Sequence, residues 1–123
     1  MRPALLALAL QAAHAGEEYA TGFHLRFPAL LGLDPWSGAF FLSFNAAWVS
    51  AWILATWRIG RRPPPRAALI LLWFLGIAGL VNGLAHPALA LFSGGYFPGL
   101  VTAPLLGCAG LLLIFRMAAP DEH

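Results

Sequence analysis

Residues 67–92, AALILLWFLGIAGLVNGLAHPALALF, run without one Asp, Glu, Lys or Arg. A helix of roughly 20 such residues spans the ~30 Å hydrocarbon core of a bilayer, so the stretch reads as a transmembrane helix. Outward from it, residues 36–57 and 97–119 form two more apolar runs, and residues 3–23 form a weaker first one. Between them the chain is punctuated. The segment 24–35 carries Pro28, Gly32 and Asp34-Pro35, the next reads Arg61-Arg62-Pro63-Pro64-Pro65-Arg66, and 93–99 holds Gly94, Gly95, Pro98 and Gly99. Proline removes backbone donors and glycine loosens the chain, so all three are expected to be loops. The expected fold is all-α: one domain over residues 1–123, an integral membrane four-helix transmembrane bundle.

Composition agrees. Of the 123 residues, 60% are hydrophobic and 10% charged, whereas a soluble domain averages about 25% charged residues. A chain this short could not hide that much apolar surface in water. The net charge of +2 comes from seven arginines, four of which lie between Arg58 and Arg66. Gathered there, they read as a topology signal and not as a nucleic-acid surface. They place the 58–66 loop in the cytoplasm, and four spans then put both termini there, beside Arg2 and Arg116. The expected location is the cell membrane, multi-pass, with Trp36 and Trp57 as interfacial anchors of the second span. Cys108, the single cysteine, excludes an intrachain disulfide or a cysteine metal cluster and reads as a small packing residue.

The N-terminus allows a second reading. Arg2, the apolar run from Ala4 to Leu10 and the Ala13-His14-Ala15 triplet are similar to a secretory signal with its cleavage site. The expectation adopted is that the segment is retained as the first span.

The polar residues inside the spans carry the functional argument. On a helix, His14 shares one face with Glu17 at i+3 and Glu18 at i+4. Asn82 and His86 repeat the i, i+4 relation in the third span; Ser43 and Asn45 lie in the second and Thr102 in the fourth. At 1.5 Å per residue, His14 and Glu18 lie about 17 and 23 Å from the cytoplasmic start of the first span. Asn82 and His86 lie about 22 and 28 Å into the third. Counted from their outer ends, Asn45 is about 13 Å and Thr102 about 8 Å deep. All therefore fall in the outer half of the membrane. Carboxylates at that depth are costly, so two adjacent ones require a proton, a cation or a committed partner. Pro87 removes a backbone donor beside His86, which either frees a carbonyl or ends the helix.

The ordered set His14-x-x-Glu17-Glu18, Asn45, Asn82-Gly83-x-x-His86 and Tyr96-x-Pro98-Gly99-x-x-Thr102 resembles the HXXEE-motif membrane proteins. These are small multi-span proteins, mostly bacterial, with no assigned biochemical activity. The resemblance covers most of the chain and departs in a short lead before the first motif. It implies a polar set of His14, Glu17, Glu18, Asn45, Asn82 and His86, joined by Tyr96 and Thr102.

Several functions fit these residues. In one, His14, His86 and Glu17 or Glu18 hold a divalent metal, zinc or iron, in an enzyme acting on a lipid or other apolar molecule. The other glutamate then acts as general base or supports a ligand, and Asn82 orients His86 or the substrate. In a second, Glu17 and Glu18 shuttle a proton without metal. In a third, the chain is a binding or transport subunit for an apolar ligand or protons. In a fourth, the polar groups are an interhelical hydrogen-bond network. Asn45 taken alone reads as helix glue and Thr102 as a local hydrogen bond; Phe40, Phe41, Phe44, Trp48 and Trp52 read as lipid-facing or packing residues. His24 is expected in an interfacial loop, and His123 on a solvated tail. Small-residue stripes at Gly76, Gly79 and Gly83 and at Gly107 and Gly110 permit close packing within the bundle or a homo-oligomer.

Overall fold

The computed structural model describes residues 2–119; His123, with Asp121 and Glu122, lies outside them. The described chain is all-α, with no strand: α1 (Arg2–Thr21), α2 (Phe23–Leu30), α3 (Gly38–Arg58), α4 (Arg66–Ser93) and α5 (Ala103–Ala118). Two of these, α3 and α4, are long and apolar enough to cross a membrane. α5 is apolar but has 16 residues. α1 has 20 residues, and its Gln11, His14, Glu17 and Glu18 lower its hydropathy below that of α3 and α4.

The segment expected to be a loop from residue 24 onward instead begins as a helix. Gly22 takes φ +86°, a left-handed conformation that breaks α1, and the amides of Leu25 and Arg26 then bond back to its carbonyl at 3.0 Å each. Pro28 lies inside α2 without interrupting it. Its missing N–H would have paired with the carbonyl of His24; that carbonyl accepts instead from the Trp36 amide at 2.9 Å. Proline thus ties α2 to the entrance of α3. Pro87 likewise leaves α4 unbroken, and the helix continues to Ser93.

The fourth apolar run is helical only from Ala103. Before it, Phe97, Pro98 and Gly99 form a buried turn, which proves central to the site. α4 and α5 approach most closely of all the helices because their glycine stripes face each other. A Cβ on Gly110 would stand 2.5 Å from the Gly76 carbonyl oxygen, and one on Gly83 would stand 2.6 Å from the Gly107 Cα. The stripes are therefore used within the chain. The apolar core lies toward the other end of the molecule, where Ala4 and Ala7 of α1, Trp52 and Ala55 of α3, Ala68 and Leu72 of α4, and Leu113 of α5 are buried together.

Candidate metal centre

Two faces of α1 are used for different tasks. Residues at i, i+3 and i+7 fall on one face of a helix, and Gln11, His14 and Glu18 are all buried. His86 enters from α4 and is also buried. The two imidazoles meet edge to face with centroids 4.6 Å apart. The Glu18 carboxylate lies against both: its Oε1 is 3.4 Å from His14 Nε2 and 3.2 Å from His86 Nε2. One ligand atom from each of the three residues falls within 4.8 Å of the others.

The far sides of the rings decide what these nitrogens carry. His86 Nδ1 is 2.7 Å from the Pro98 carbonyl oxygen. A carbonyl only accepts, so Nδ1 bears the hydrogen and Nε2 of the neutral ring presents a lone pair. His14 Nδ1 is 2.9 Å from Thr102 Oγ1. That hydroxyl already gives its hydrogen to Glu17 Oε2, so it accepts from Nδ1–H. In a neutral ring His14 Nε2 is then a lone pair too, and it has no hydrogen-bond partner among the described residues. With both rings neutral, two nitrogens and a carboxylate oxygen lie within 4.8 Å of one another, an arrangement that could hold a metal ion.

Glu17 does something else. Its carboxylate accepts from the Tyr96 hydroxyl at 2.7 Å, the Val101 amide at 3.0 Å, the Thr102 amide at 2.8 Å and the Thr102 hydroxyl. These amides lead into α5, so the carboxylate sits at a helix N-terminus, where unpaired N–H groups and the helix dipole favour an anion. Its oxygens are committed there, and through Thr102 it fixes the orientation of His14. Burial, then the adjacent Glu17 carboxylate, hold the Tyr96 phenol above its ordinary pKa range. Thr102, expected to make a local helix bond, is the link between Glu17 and His14.

Gly99 explains how the turn comes so close. It has φ +93°, and a Cβ there would lie 2.6 Å from His86 Cε1 and 2.7 Å from His14 Cε1. Only glycine lets the backbone lie against both rings.

Such a constellation follows the ordered motif residues through the whole chain. The family model for a protein of unknown function with an HXXEE motif matches residues 5–113. The chain belongs to the HXXEE family. Within it, His14, Glu17 and Glu18 are the motif's named residues. No curated protein and no solved structure matches the chain.

Beside Glu18 opens a cleft of about 510 Å³. Phe40, Phe41, Phe44, Trp48 and Trp52 of α3 and Phe74 of α4 make its walls, with Gln11, Glu18, Asn45 and Asn82 as polar lining. The two asparagines do not bond the histidines. Asn45 Nδ2 donates to the Phe41 carbonyl and Asn82 Nδ2 to that of Ala78, each at 3.0 Å. Asn82 thus does not orient His86; Pro98 does. The α3 aromatics are packing or exposed residues as expected, with Trp52 in the core and Phe40 and Phe44 more than half exposed, and they also line the cleft. Their spacing at 40, 44, 48 and 52 was the available signal, and Gln11, three residues before His14 on the same face, was another. His24 lies on α2, stacked on Tyr19 with centroids 5.3 Å apart, away from the three ligands.

Proposed function

We propose that this HXXEE protein is a membrane-embedded enzyme in which His14, His86 and Glu18 hold one divalent metal at the head of an aromatic cleft. α1, α3, α4 and α5 are the four spans of a transmembrane bundle, with the site in its outer half. The arginine-rich 58–66 loop and both termini face the cytoplasm, following the arginine distribution. Support for the membrane placement comes from side chains such as Leu91, Phe92, Leu84, Ile70 and Val101, each more than 60% exposed. In water such a surface is an aggregation liability; in lipid it is the solvated face.

The convergence of three lone-pair acceptors carries the metal reading. Two nitrogens and one oxygen are a recognised zinc or iron donor set. In a tetrahedral site with bonds of about 2.0–2.1 Å, neighbouring donors stand about 3.3–3.4 Å apart, close to the 3.4 and 3.2 Å edges made by Glu18. A single proton satisfies one of those contacts and leaves the other acceptors opposed, so a metal-free acid–base site accounts for the geometry less well. The histidines are each oriented by a partner on the opposite ring nitrogen, as metal-bound imidazoles commonly are. A metal there would supply a Lewis acid beside a cavity suited to an apolar, membrane-soluble molecule. The chain's own part is to hold that molecule against Glu18 and to keep bulk water away with aromatic walls.

The test is metal content of untagged protein purified after growth with zinc or iron supplied. One equivalent is expected, lost in His86→Ala and Glu18→Gln with helicity unchanged. Sub-stoichiometric metal in the wild type, or full metal in both variants, refutes the reading.

A further inference from the structure

We infer that a groove at the arginine-bearing end of the bundle holds an anionic phospholipid, its phosphate at Arg2 and Arg116 and its acyl chains along Leu6, Leu112 and Phe115. α1, α3, α4 and α5 share an end at which Ala4, Ala55, Ala68 and Leu113 are buried together. That end gathers Arg2 at the start of α1, Arg58, Arg61, Arg62 and Arg66 around the connection from α3 to α4, and Arg116 near the end of α5. The remaining arginine, Arg26, is at the other end and donates to the Tyr96 carbonyl. The acidic side chains among the described residues, Glu17, Glu18 and Asp34, also belong to that other end. Among the described residues, the charge of the arginine-bearing end is thus positive and unbalanced.

Within this end a groove of about 600 Å³ lies between α1 and α5, lined by Arg2, Pro3 and Leu6 from one and by Leu112, Phe115 and Arg116 from the other. α1 starts here and α5 finishes here, so each arginine stands at the rim and each leucine lies one turn further in, about 6 Å. Neither guanidinium has a hydrogen-bond or ion-pair partner among the described residues. Below them the floor is apolar and open: Leu6 is 48% exposed, Leu112 55% and Phe115 63%. A phospholipid has the same order, with a charged phosphodiester at the interface and hydrocarbon beneath it. Guanidinium groups bind phosphate oxygens through paired N–H bonds, and basic pockets between helices on the cytoplasmic side suit anionic head groups. A soluble phosphate would leave the apolar floor uncovered, which favours a lipid. A zwitterionic head would bring its ammonium into the field of all these arginines, which favours a lipid of net negative charge.

The site is separate from the metal centre and rests only on the proposed membrane placement. Full-length protein in detergent is titrated with phosphatidylglycerol and with phosphatidylcholine of the same acyl chains, and bound lipid is counted by native mass spectrometry. Asp121 and Glu122, which follow Arg116, are then present in every measurement. Phosphatidylglycerol is expected to bind more tightly than phosphatidylcholine. Its affinity should fall about 30-fold when Arg2→Gln and Arg116→Gln are combined, about fivefold for each arginine. Arg61→Gln with Arg62→Gln removes the same charge from the same end but outside the groove, and should change the affinity less than about threefold because salt screens distant charges. All four side chains are exposed, so helicity is expected to be unchanged in both double variants. Equal binding of the two lipids, wild-type affinity in the first double variant, or an equal loss in the second overturns the site. Glycerophosphoglycerol, the head group without its chains, should not displace the lipid; displacement at equal concentration overturns the choice of a lipid. Protein that stays monodisperse once detergent is removed refutes the membrane placement and this site with it, whereas detergent-dependent protein without a lipid preference refutes the site alone.

Discussion

Replacing Gly99 with alanine tests the centre through its tightest point. A Cβ there would stand 2.6 Å from His86 Cε1, 2.7 Å from His14 Cε1 and 2.7 Å from His86 Nδ1. Ordinary contact begins near 3.4 Å, so both rings or the turn must give by about 0.8 Å. The left-handed backbone at φ +93° adds about 1–2 kcal/mol of strain for any residue with a Cβ. Overpacking at so confined a site costs a further 1–3 kcal/mol or so, giving about 2–5 kcal/mol in all. His86 cannot move that far and keep its 2.7 Å bond to the Pro98 carbonyl. Misorienting a ligand in this way typically lowers metal affinity by about 10–100-fold. Competition with a chelator, read as metal retained per chain, measures the affinity, and thermal unfolding in detergent measures the stability. Gly16→Ala is the control, because nothing lies within 4 Å of its Cβ position; helix propensity alone predicts a gain of about 0.5–1 kcal/mol. Unchanged affinity and unchanged melting in Gly99→Ala would refute the packing argument.

Two further perturbations separate support from ligation and packing from chemistry. Thr102→Val removes the hydroxyl between Glu17 and His14; it should lower metal affinity by about tenfold, with Thr102→Ser restoring most of it. Equal affinities for the valine and serine variants in the chelator assay would deny the relay. Gly110→Ala places a Cβ 2.5 Å from the Gly76 carbonyl oxygen and 2.9 Å from the Leu80 amide nitrogen. Because backbone cannot be repacked like a side chain, a loss of at least about 2 kcal/mol is expected in unfolding, with metal affinity less affected than in Gly99→Ala.

The long apolar helices were legible because uninterrupted apolar runs bounded by proline and glycine read as helix: α3 and α4 match their expected runs to within two residues at each end. The turn regions were harder to read. Pro28 looked like a loop residue, yet it sits in a helix because the carbonyl it frees finds Trp36. Residues 97–102 looked like the start of a span, but Glu17 holds their amides in a turn that precedes α5. The candidate site was legible as a set. Its division of labour was not, because adjacent glutamates differ by 100° around a helix and only the neighbouring helices say which side is inward. Glu18 meets two histidines, whereas Glu17 meets α5. Asn45 and Asn82 shared the expected depth and reach the cleft, but each gives one amide hydrogen to a carbonyl of its own helix. Periodicity showed where such residues lie; it held no information on what each one bonds.

The Glu17 carboxylate has a consequence for the order in which the chain is made. His14 and Glu18 leave the ribosome early, and His86 follows, so all three candidate donors exist before α5 does. The groups that set their protons come last: the Pro98 carbonyl for His86, and Thr102, gripped by Glu17, for His14. A chain ending before residue 98 would own the donors but not their tautomers. In the proposed metal centre, completion of the last helix would therefore be what fixes both imidazoles in place.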